Sequence, residues 1–249
     1  MLLSNRNVLI TGGAKGIGRA IAYDMAKEGA RIVLLDLDEG ESRKTVETIQ
    51  ESGGTAKYVL CDITKQKELD EAEKEVRSFL GNIDVIVSNA GISIKKPVEE
   101  VDEQTWDKVV DINLKGSFLT VKTFLDHVKA SEYGKIVFIT SASAYTGTGG
   151  GISYVASKAG QNGMILTLAK ELGPHGINVN GIAPRVIQTE MLETIYPDEK
   201  SKEEVRLQIP IRKIGQPEDV AYLTTFLSSD KAEYLHGQVI VLDGGRTYR

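Results

Sequence analysis

The sequence predicts a single α/β domain built on a doubly wound parallel sheet. Short apolar segments alternate along the chain with segments of helical periodicity, the pattern of repeated strand–helix–strand units. Several apolar segments, such as 32–35 and 136–139, are continuously apolar, which is typical of strands covered by helices on both faces. The length of 249 residues corresponds to one large domain, so we expect residues 1–249 to form one unit.

Seven strands and six helices follow in order. The predicted strands span 7–11, 31–36, 56–61, 83–88, 135–140, 178–182 and 238–242. The predicted helices span 17–28, 39–52, 66–80, 103–129, 153–172 and 217–228. Right-handed crossovers between parallel strands would place these helices on both faces of the sheet. Segment 189–214 interrupts the alternation, and it is either a lid over a binding site or a solvated surface helix.

Composition excludes several classes of function. The chain has 30 Lys and Arg against 35 Asp and Glu, a net charge of −5, and no basic stripe, so neither nucleic acid nor a membrane is an expected partner. No segment approaches the roughly 18 apolar residues of a membrane span. Cys61 has no partner for an intrachain disulfide, and the three histidines are too far apart in sequence to indicate a metal site. We expect a cytoplasmic protein.

A glycine-rich turn follows the first predicted strand. It reads Gly12-Gly13-Ala14-Lys15-Gly16-Ile17-Gly18 and leads directly into a helix. Glycines allow a sharp turn and a close approach of phosphate to the backbone, and the helix amino terminus offers free N–H groups to that phosphate. An ordinary glycine-rich turn is the competing interpretation.

Asp36 ends the second strand, 18 residues after Gly18. A carboxylate there can accept hydrogen bonds from both hydroxyls of an adenosine ribose and would repel a 2′-phosphate. Lys15 favours the opposite choice, because a basic side chain in the turn could pair with that phosphate. We give Asp36 the greater weight, since burying a carboxylate against a phosphate costs more, and expect NAD rather than NADP.

Tyr154 and Lys158 are spaced i and i+4 on a predicted helix, so they share one face. A tyrosine has an ordinary pKa near 10, and a nearby ammonium group lowers that pKa by stabilising the phenolate. Tyr154 could then exchange a proton with a carbonyl or an alcohol oxygen. Taken alone, this spacing is a weak indication, because most such pairs are an aromatic ring packed beneath a lysine stem.

The glycine turn and the tyrosine–lysine pair belong to a longer ordered series of positions: Thr11, Gly12, Gly16, Gly18, Asn89-Ala90-Gly91, Asn113, Ser141, Tyr154, Lys158 and Asp243-Gly244-Gly245. In this order, these positions resemble the short-chain dehydrogenase/reductase family over essentially the whole chain. The resemblance implies a Rossmann-type fold, and its spacing of 13 positions before the tyrosine selects Ser141 over Ser143. Ser88 stands where the family usually has a second asparagine.

The resemblance also implies a role for each site residue. Tyr154 would be the acid/base, Ser141 would bind the substrate oxygen, Lys158 would tune Tyr154 and hold the nicotinamide ribose, and Asn113 would keep a water that links Lys158 to solvent. The cofactor would contact Gly12, Lys15, Gly16, Ile17, Gly18, Asp36, Asp62, Ile63, Asn89, Ala90, Gly91, Tyr154, Lys158, Pro184, Ile187 and Thr189.

One position departs from the family pattern. Arg185 follows Pro184 where the family usually has glycine, so the backbone of this loop need not adopt the usual geometry. Arg185 would anchor an anionic group of the substrate or the cofactor, turn out to solvent, or block the site. Ser143 is a further candidate substrate contact, or it is bonded to backbone alone.

The leading hypothesis is an NAD(H)-dependent oxidoreductase that moves hydride between a nicotinamide and a secondary alcohol or ketone. The alternative is a non-catalytic regulatory protein that binds NAD; such proteins usually lose the tyrosine or the lysine, and both are present here. The resemblance further suggests a homotetramer. It does not name the substrate.

Overall fold

The computed structural model describes residues 1–247, except the side chains of Met191 and Thr194. Its described part contains one seven-stranded sheet, parallel throughout, in the order β3-β2-β1-β4-β5-β6-β7. The strands are β1 Asn7–Thr11, β2 Arg31–Asp36, β3 Thr55–Leu60, β4 Val85–Ser88, β5 Lys135–Ile139, β6 Asn178–Pro184 and β7 Val239–Leu242. The doubly wound α/β architecture predicted from the sequence is confirmed.

Ten α-helices connect and flank these strands within the described residues. They are α1 Gly16–Lys27, α2 Glu39–Glu51, α3 Gln66–Leu80, α4 Glu103–Val110, α5 Gly116–Ala130, α6 Ser143–Thr146, α7 Ile152–Leu172, α8 Glu190–Ile195, α9 Glu199–Leu207 and α10 Pro217–Leu227. Short 3₁₀ turns occur at Val98–Glu100, Gly173–His175 and Asp230–Ala232. No described helix is both long and apolar enough to cross a membrane.

One local feature differs from the sequence prediction. The predicted helix 103–129 is divided into α4 and α5 by a π-helical turn at Asp111–Lys115. A search for one regular period misses this turn, because a π turn inserts a residue into the helical repeat.

Segment 189–214 contains the short helices α8 and α9. A surface helix was one of the two expectations for this segment, and most residues of α9 are exposed or half-buried. The other expectation, a lid over a binding site, stays a prediction.

The strands separate two apolar layers, one on each face of the sheet. Val8 and Ile10 of β1 belong to one buried cluster, while Leu9 between them belongs to the other. Val33 and Leu34 of β2 divide in the same way. Alternation of side chains across a strand produces this division, and each fully buried aliphatic side chain stabilises the fold by about 1.5–3 kcal/mol.

The strand order reverses direction at β1, which pairs with β2 on one side and β4 on the other. The connections after β1 and β4 therefore leave the sheet in opposite directions, and a crevice opens between them at the carboxyl ends of the strands. This is where open α/β sheets bind their ligands.

Substitution of Gly18 tests how closely the turn between β1 and α1 is packed. A Cβ atom at this position would lie 2.0 Å from the Gly12 carbonyl oxygen and 2.6 Å from Asn89 Nδ2. We expect Gly18→Ala to lower the free energy of unfolding by about 1–3 kcal/mol, because backbone must move to accept the methyl group. Urea unfolding followed by circular dichroism measures this change.

Gly163→Ala is the matched control. Gly163 lies within α7, and a Cβ atom there would meet nothing within 4 Å. This variant should gain about 0.4–1 kcal/mol, because alanine loses less conformational entropy on folding. Equal stability of Gly18→Ala and the wild type would contradict the close packing of the turn.

Candidate active site

A cavity of about 1220 Å³ opens along the carboxyl edge of the sheet. Every site residue predicted from the sequence lines it, except Asn113, which is buried behind the wall. The cavity extends from the ends of β2 and β3 to the loops that follow β5 and β6. The structure thus brings the glycine turn, the acidic strand end and the tyrosine–lysine helix to one continuous space.

The glycine turn forms a cradle at the amino terminus of α1. Gly12 and Gly16 have φ angles of 64° and 52°, a region that side-chain-bearing residues rarely adopt. The N-cap residue Lys15 provides no side-chain hydrogen bond to the first turn of α1. Uncapped N–H groups at a helix start suit a phosphate, so the turn fits the pyrophosphate of a dinucleotide.

Asp36 connects the cradle to the end of β2. Its Oδ2 accepts a hydrogen bond from the Ala14 N–H at 3.0 Å, and its Oδ1 accepts from the N–H groups of Leu37 at 2.8 Å and Asp38 at 3.0 Å. Lys15 Nζ lies 2.9 Å from Asp38 Oδ2. The basic residue that could favour a 2′-phosphate is thus already paired with a second carboxylate.

The predicted adenine and adenosine contacts follow β3 and β4. Asp62 Oδ1 accepts hydrogen bonds from the N–H and the hydroxyl of Thr64, which fixes the loop after β3, and the neighbouring Ile63 is buried. Asn89 Nδ2 donates to the carbonyl oxygens of Gly12 at 2.8 Å and Thr11 at 3.1 Å. The Asn89 side chain therefore links the end of β4 to the glycine turn.

Ser141, Tyr154 and Lys158 converge at the other end of the cavity. Ser141 follows β5, and a hydrogen bond joins its side chain to that of Tyr154. Lys158 Nζ donates to the Ile139 carbonyl oxygen at 2.8 Å and lies 5.9 Å from the centroid of the Tyr154 ring. Ser143 donates its backbone N–H to Ser141 Oγ at 3.1 Å, so it orients the serine from behind.

Burial controls the ionisation of this pair. Burial raises the pKa of Tyr154 above its ordinary value, and the hydrogen bond with Ser141 opposes this rise. Burial also lowers the pKa of Lys158 to about 7. Burial and Ser141 set the direction of the Tyr154 shift, and the lowering of the Tyr154 pKa by Lys158 stays a prediction.

Asn113 lies in the π-helical turn and fixes the segment beside the lysine. Its Oδ1 accepts from the Ile92 N–H at 2.8 Å, while its Nδ2 donates to the Ile92 carbonyl at 2.9 Å and to Ser157 Oγ at 3.0 Å. The Asn113 carbonyl accepts a further hydrogen bond from Gln161 Nε2 at 2.8 Å. A Cβ atom on Gly91 would lie 3.4 Å from Lys158 Nζ, so the fixed segment also lies close to the ammonium group.

The loop after β6 keeps a regular connection although it lacks the usual glycine. The Arg185 N–H donates to the Leu242 carbonyl at 3.1 Å, extending the β6–β7 pairing. Its Nη1 donates to Thr247 Oγ1 at 2.8 Å and its Nη2 to Thr148 Oγ1 at 3.1 Å. A positive φ occurs at the next residue, Val186, with a value of 57°. Arg185 thus borders the cavity with a half-buried side chain.

Several lining residues were missed by the sequence analysis. They are Asp38, Thr148, Gly149, Gly150, Tyr196, Gln208 and Arg246. Segment 147–151 contains four glycines, a density that could have indicated a site-lining loop from the sequence. A Cβ atom on Gly150 would lie 2.2 Å from Tyr154 Cδ1. Asp38, two residues after Asp36, could also have been indicated by its position. Arg246 had no local signal, because its position depends on the C-terminal tail returning to the cavity.

Within residues 1–247, no group of three or more His, Cys, Asp or Glu side chains could hold a metal ion. A parallel sheet with a phosphate cradle and an adjoining serine–tyrosine–lysine cluster defines a dinucleotide-binding oxidoreductase that acts on alcohol or keto groups.

Comparisons with known proteins give the same class. The family model described as Enoyl-(Acyl carrier protein) reductase matches residues 12–247. The 3-oxoacyl-[acyl-carrier-protein] reductase FabG of Staphylococcus epidermidis is 36% identical over 242 residues, covering 97% of this chain and 98% of that protein. The chain belongs to the short-chain dehydrogenase/reductase family, whose members bind a nicotinamide cofactor and transfer hydride.

Solved structures superpose closely on this fold. Levodione reductase matches with a TM-score of 0.93 and 31% identity, covering 98% of both chains. A protein from Beutenbergia cavernae matches with a TM-score of 0.92 and 32% identity over 98% of this chain and 97% of that one, and its structure is described with bound NADP at low occupancy. The relatives therefore include at least one that binds the phosphorylated cofactor.

Lys158 should make stability depend on pH. Its pKa is about 7 when folded, against an ordinary value of 10.5, so folding releases a proton between these values. Stability should therefore rise with pH across this window, by up to about 1.4 kcal/mol per pH unit from this group. In Lys158→Met this contribution is absent. Urea unfolding of both proteins at pH 7 and pH 9 measures it, and parallel pH profiles would rule out the proposed burial of an ionisable amine.

Proposed function

We propose that this chain is an NAD(H)-dependent oxidoreductase that interconverts a secondary alcohol and a ketone, with Tyr154 as acid/base. The supporting observation is the convergence of Ser141, Tyr154 and Lys158 in the same cavity that contains the glycine cradle and Asp36. A site that bound a dinucleotide for regulation alone would not need these three side chains together, so catalysis is favoured over the regulatory alternative.

The three side chains divide the proton chemistry among them. Tyr154 donates a proton to the carbonyl oxygen in reduction and accepts it from the hydroxyl in oxidation. Ser141 hydrogen-bonds the same oxygen and stabilises the charge that develops on it. Lys158, with its pKa near 7, can exchange a proton near neutral pH and compensates the phenolate when one forms. The nicotinamide, when bound, supplies or accepts the hydride.

The remaining predicted residues are assigned to successive parts of the cofactor. We assign the pyrophosphate to the N–H groups of Gly16, Ile17 and Gly18, and the adenine to Asp62 and Ile63. Asn89, Ala90 and Gly91 line the adenosine side. Pro184, Ile187 and Thr189 follow β6 and border the nicotinamide. Asn113 supports this arrangement from behind, through its three hydrogen bonds to Ile92 and Ser157.

Charge at the ribose end supports NAD over NADP. Asp36 and Asp38 both line the cavity there, and Lys15 is paired with Asp38. A 2′-phosphate would meet two carboxylates and a lysine whose charge is already compensated, so repulsion would prevail. The relative from Beutenbergia cavernae is described with bound NADP, so the preference of this chain between NAD and NADP needs direct measurement.

We also propose a cytoplasmic homo-oligomer, with four chains as the family resemblance suggests. Trp106, Phe118 and Leu166 are exposed on α4, α5 and α7, and apolar side chains of this size commonly mark contacts between chains.

Tyr154→Phe tests the catalytic assignment. Removing the hydroxyl should reduce turnover by about 10²–10⁴-fold, the usual contribution of general acid–base catalysis, while NAD binding is retained. A screen of secondary alcohols with NAD, followed by nicotinamide absorbance, provides the substrate for this comparison. Tyr234→Phe, at a fully exposed tyrosine, is the control. Near-wild-type turnover in a folded Tyr154→Phe protein would refute the assignment.

Asp36→Asn and Asp38→Asn test the choice of cofactor. The wild type should have a higher kcat/KM with NAD than with NADP. Each variant should shift this ratio towards NADP by on the order of tenfold, Asp36→Asn by removing repulsion and Asp38→Asn by releasing Lys15. Asp126→Asn, at an exposed position on α5, should leave the ratio unchanged. A wild-type preference for NADP would show that Lys15 outweighs Asp36.

A further inference from the structure

Two arginines stand at the end of the cavity beyond the proposed reacting oxygen. We infer that Arg185 and Arg246 bind a carboxylate on the substrate, which makes the substrate a hydroxy or keto acid. This inference rests on the proposed function, because it extends the same site from the reacting group to the rest of the substrate molecule.

Arg185 is held in place by neutral partners. The hydroxyls of Thr247 and Thr148 accept its two terminal nitrogens at 2.8 and 3.1 Å. Thr148 belongs to the glycine-rich segment that packs against Tyr154, so these contacts fix the guanidinium beside the acid/base. Neither hydroxyl carries charge, and a guanidinium oriented in this way retains its ability to pair with a planar carboxylate.

Arg246 reaches the same region from the C-terminal tail. β6 and β7 are parallel neighbours with Pro184 opposite Leu242, so Arg185 and Arg246 both follow the carboxyl ends of adjacent strands. Arg246 Nη2 donates to Gln208 Oε1 at 2.5 Å, another neutral acceptor. Both arginines line the same cavity. Burial and the positive charge of Arg246 lower the pKa of Arg185, while Asp243 and Tyr196 act in the opposite direction.

Acidic side chains form no ion pair with these two arginines. Among residues 1–247, no carboxylate lies within ion-pair distance of either guanidinium. The Asp243 carboxylate opposes the lowering of the Arg185 pKa without outweighing it, and its oxygens accept the backbone N–H groups of Gly245 at 2.9 Å and Thr247 at 2.5 Å. Two like charges held together in a partly desolvated cavity favour an anionic ligand between them.

The cavity is polarised along its length. Asp36 ends β2 and Asp38 follows it, whereas Arg185 follows β6, four strands away in the sheet order. This separation is about 19 Å at the usual strand spacing. The acidic end suits the ribose hydroxyls and repels an anionic substrate. The basic end lies beside Ser141 and Tyr154, so an acid would enter with its carboxylate directed away from Asp36.

Binding of a non-reacting acid tests the pair directly. We would titrate the NAD-saturated protein with succinate, dimethyl succinate and inorganic phosphate by isothermal calorimetry. Succinate should bind more tightly than its uncharged ester, and Arg185→Gln and Arg246→Gln should each weaken succinate binding by at least about tenfold. Arg43→Gln, at an exposed and ion-paired arginine of α2, is the matched control and should bind succinate as the wild type does.

Several results would overturn the inference. Equal affinity for succinate and dimethyl succinate would show that charge is not recognised, and binding of phosphate without succinate would identify a different anion. An equal loss of succinate affinity in Arg43→Gln would show that the affinity depends on the net charge of the protein and not on a contact with Arg185 or Arg246. Weaker NAD binding by Arg185→Gln, with succinate binding unchanged, would assign Arg185 to the cofactor.

Turnover gives a second, separate readout. With 3-hydroxybutyrate and its methyl ester as paired substrates, the ratio of kcat/KM for acid over ester should fall at least about tenfold in Arg185→Gln and partly recover in Arg185→Lys, which restores the charge without the fork. An unchanged ratio would refute the carboxylate contact while leaving the proposed chemistry intact. Failure of the wild type to oxidise any alcohol would count against the proposed function, and the succinate titration would still decide the role of the arginines.

Discussion

The close approach of Gly18 to the Gly12 carbonyl is the constraint on which the rest of the site depends. With 2.0 Å between that oxygen and any Cβ at position 18, α1 can start next to β1 only if residue 18 has no side chain. The turn is then tied to both neighbouring strands, through the Gly12 N–H to Leu35 of β2 and through Asn89 after β4. A cavity of this shape therefore follows from tight backbone packing, and its phosphate cradle needs no flexible loop.

The catalytic end depends on a second set of buried contacts. A π-helical turn displaces the backbone around Asn113, whose carbonyl then accepts from Gln161 while its side chain fixes Ile92. A side chain at Gly150 would collide with Tyr154, and Gly91 leaves room beside Asn113 and Lys158. Lys158 is buried and Tyr154 is half-buried, so desolvation shifts the ionisation of both side chains towards their neutral forms. Charge developing on the substrate oxygen would then be stabilised by groups that need little rearrangement.

Much of the fold and of the site could be predicted from the sequence, because these features depend on local sequence patterns. Continuous apolar runs gave the strands, and the spacings Gly12–Gly18 and Tyr154–Lys158 identified the two ends of the site. Features that depend on distant parts of the chain were not accessible in this way. The pairing of Lys15 with Asp38 requires the relative position of two loops, and the burial that shifts the pKa values of Tyr154 and Lys158 requires the complete fold. Arg246 reaches the cavity through tertiary structure alone.

The loop after β6 shows how one substitution can be accommodated and used. Arginine at position 185 avoids a left-handed backbone because the connection to Leu242 keeps it extended beside β7, and the turn occurs at Val186 instead, where φ is 57°. A β-branched residue in that region costs on the order of 1–3 kcal/mol. The surrounding contacts, among them the bridge between Ile187 and Gly215 and the hydrogen bonds from Arg185 to Thr148 and Thr247, must outweigh that cost. A guanidinium that has no ion-pair partner among residues 1–247 and borders the reacting end of the cavity is better explained by recognition of an anion than by stability, because a neutral side chain at this position would avoid the charge repulsion from Arg246.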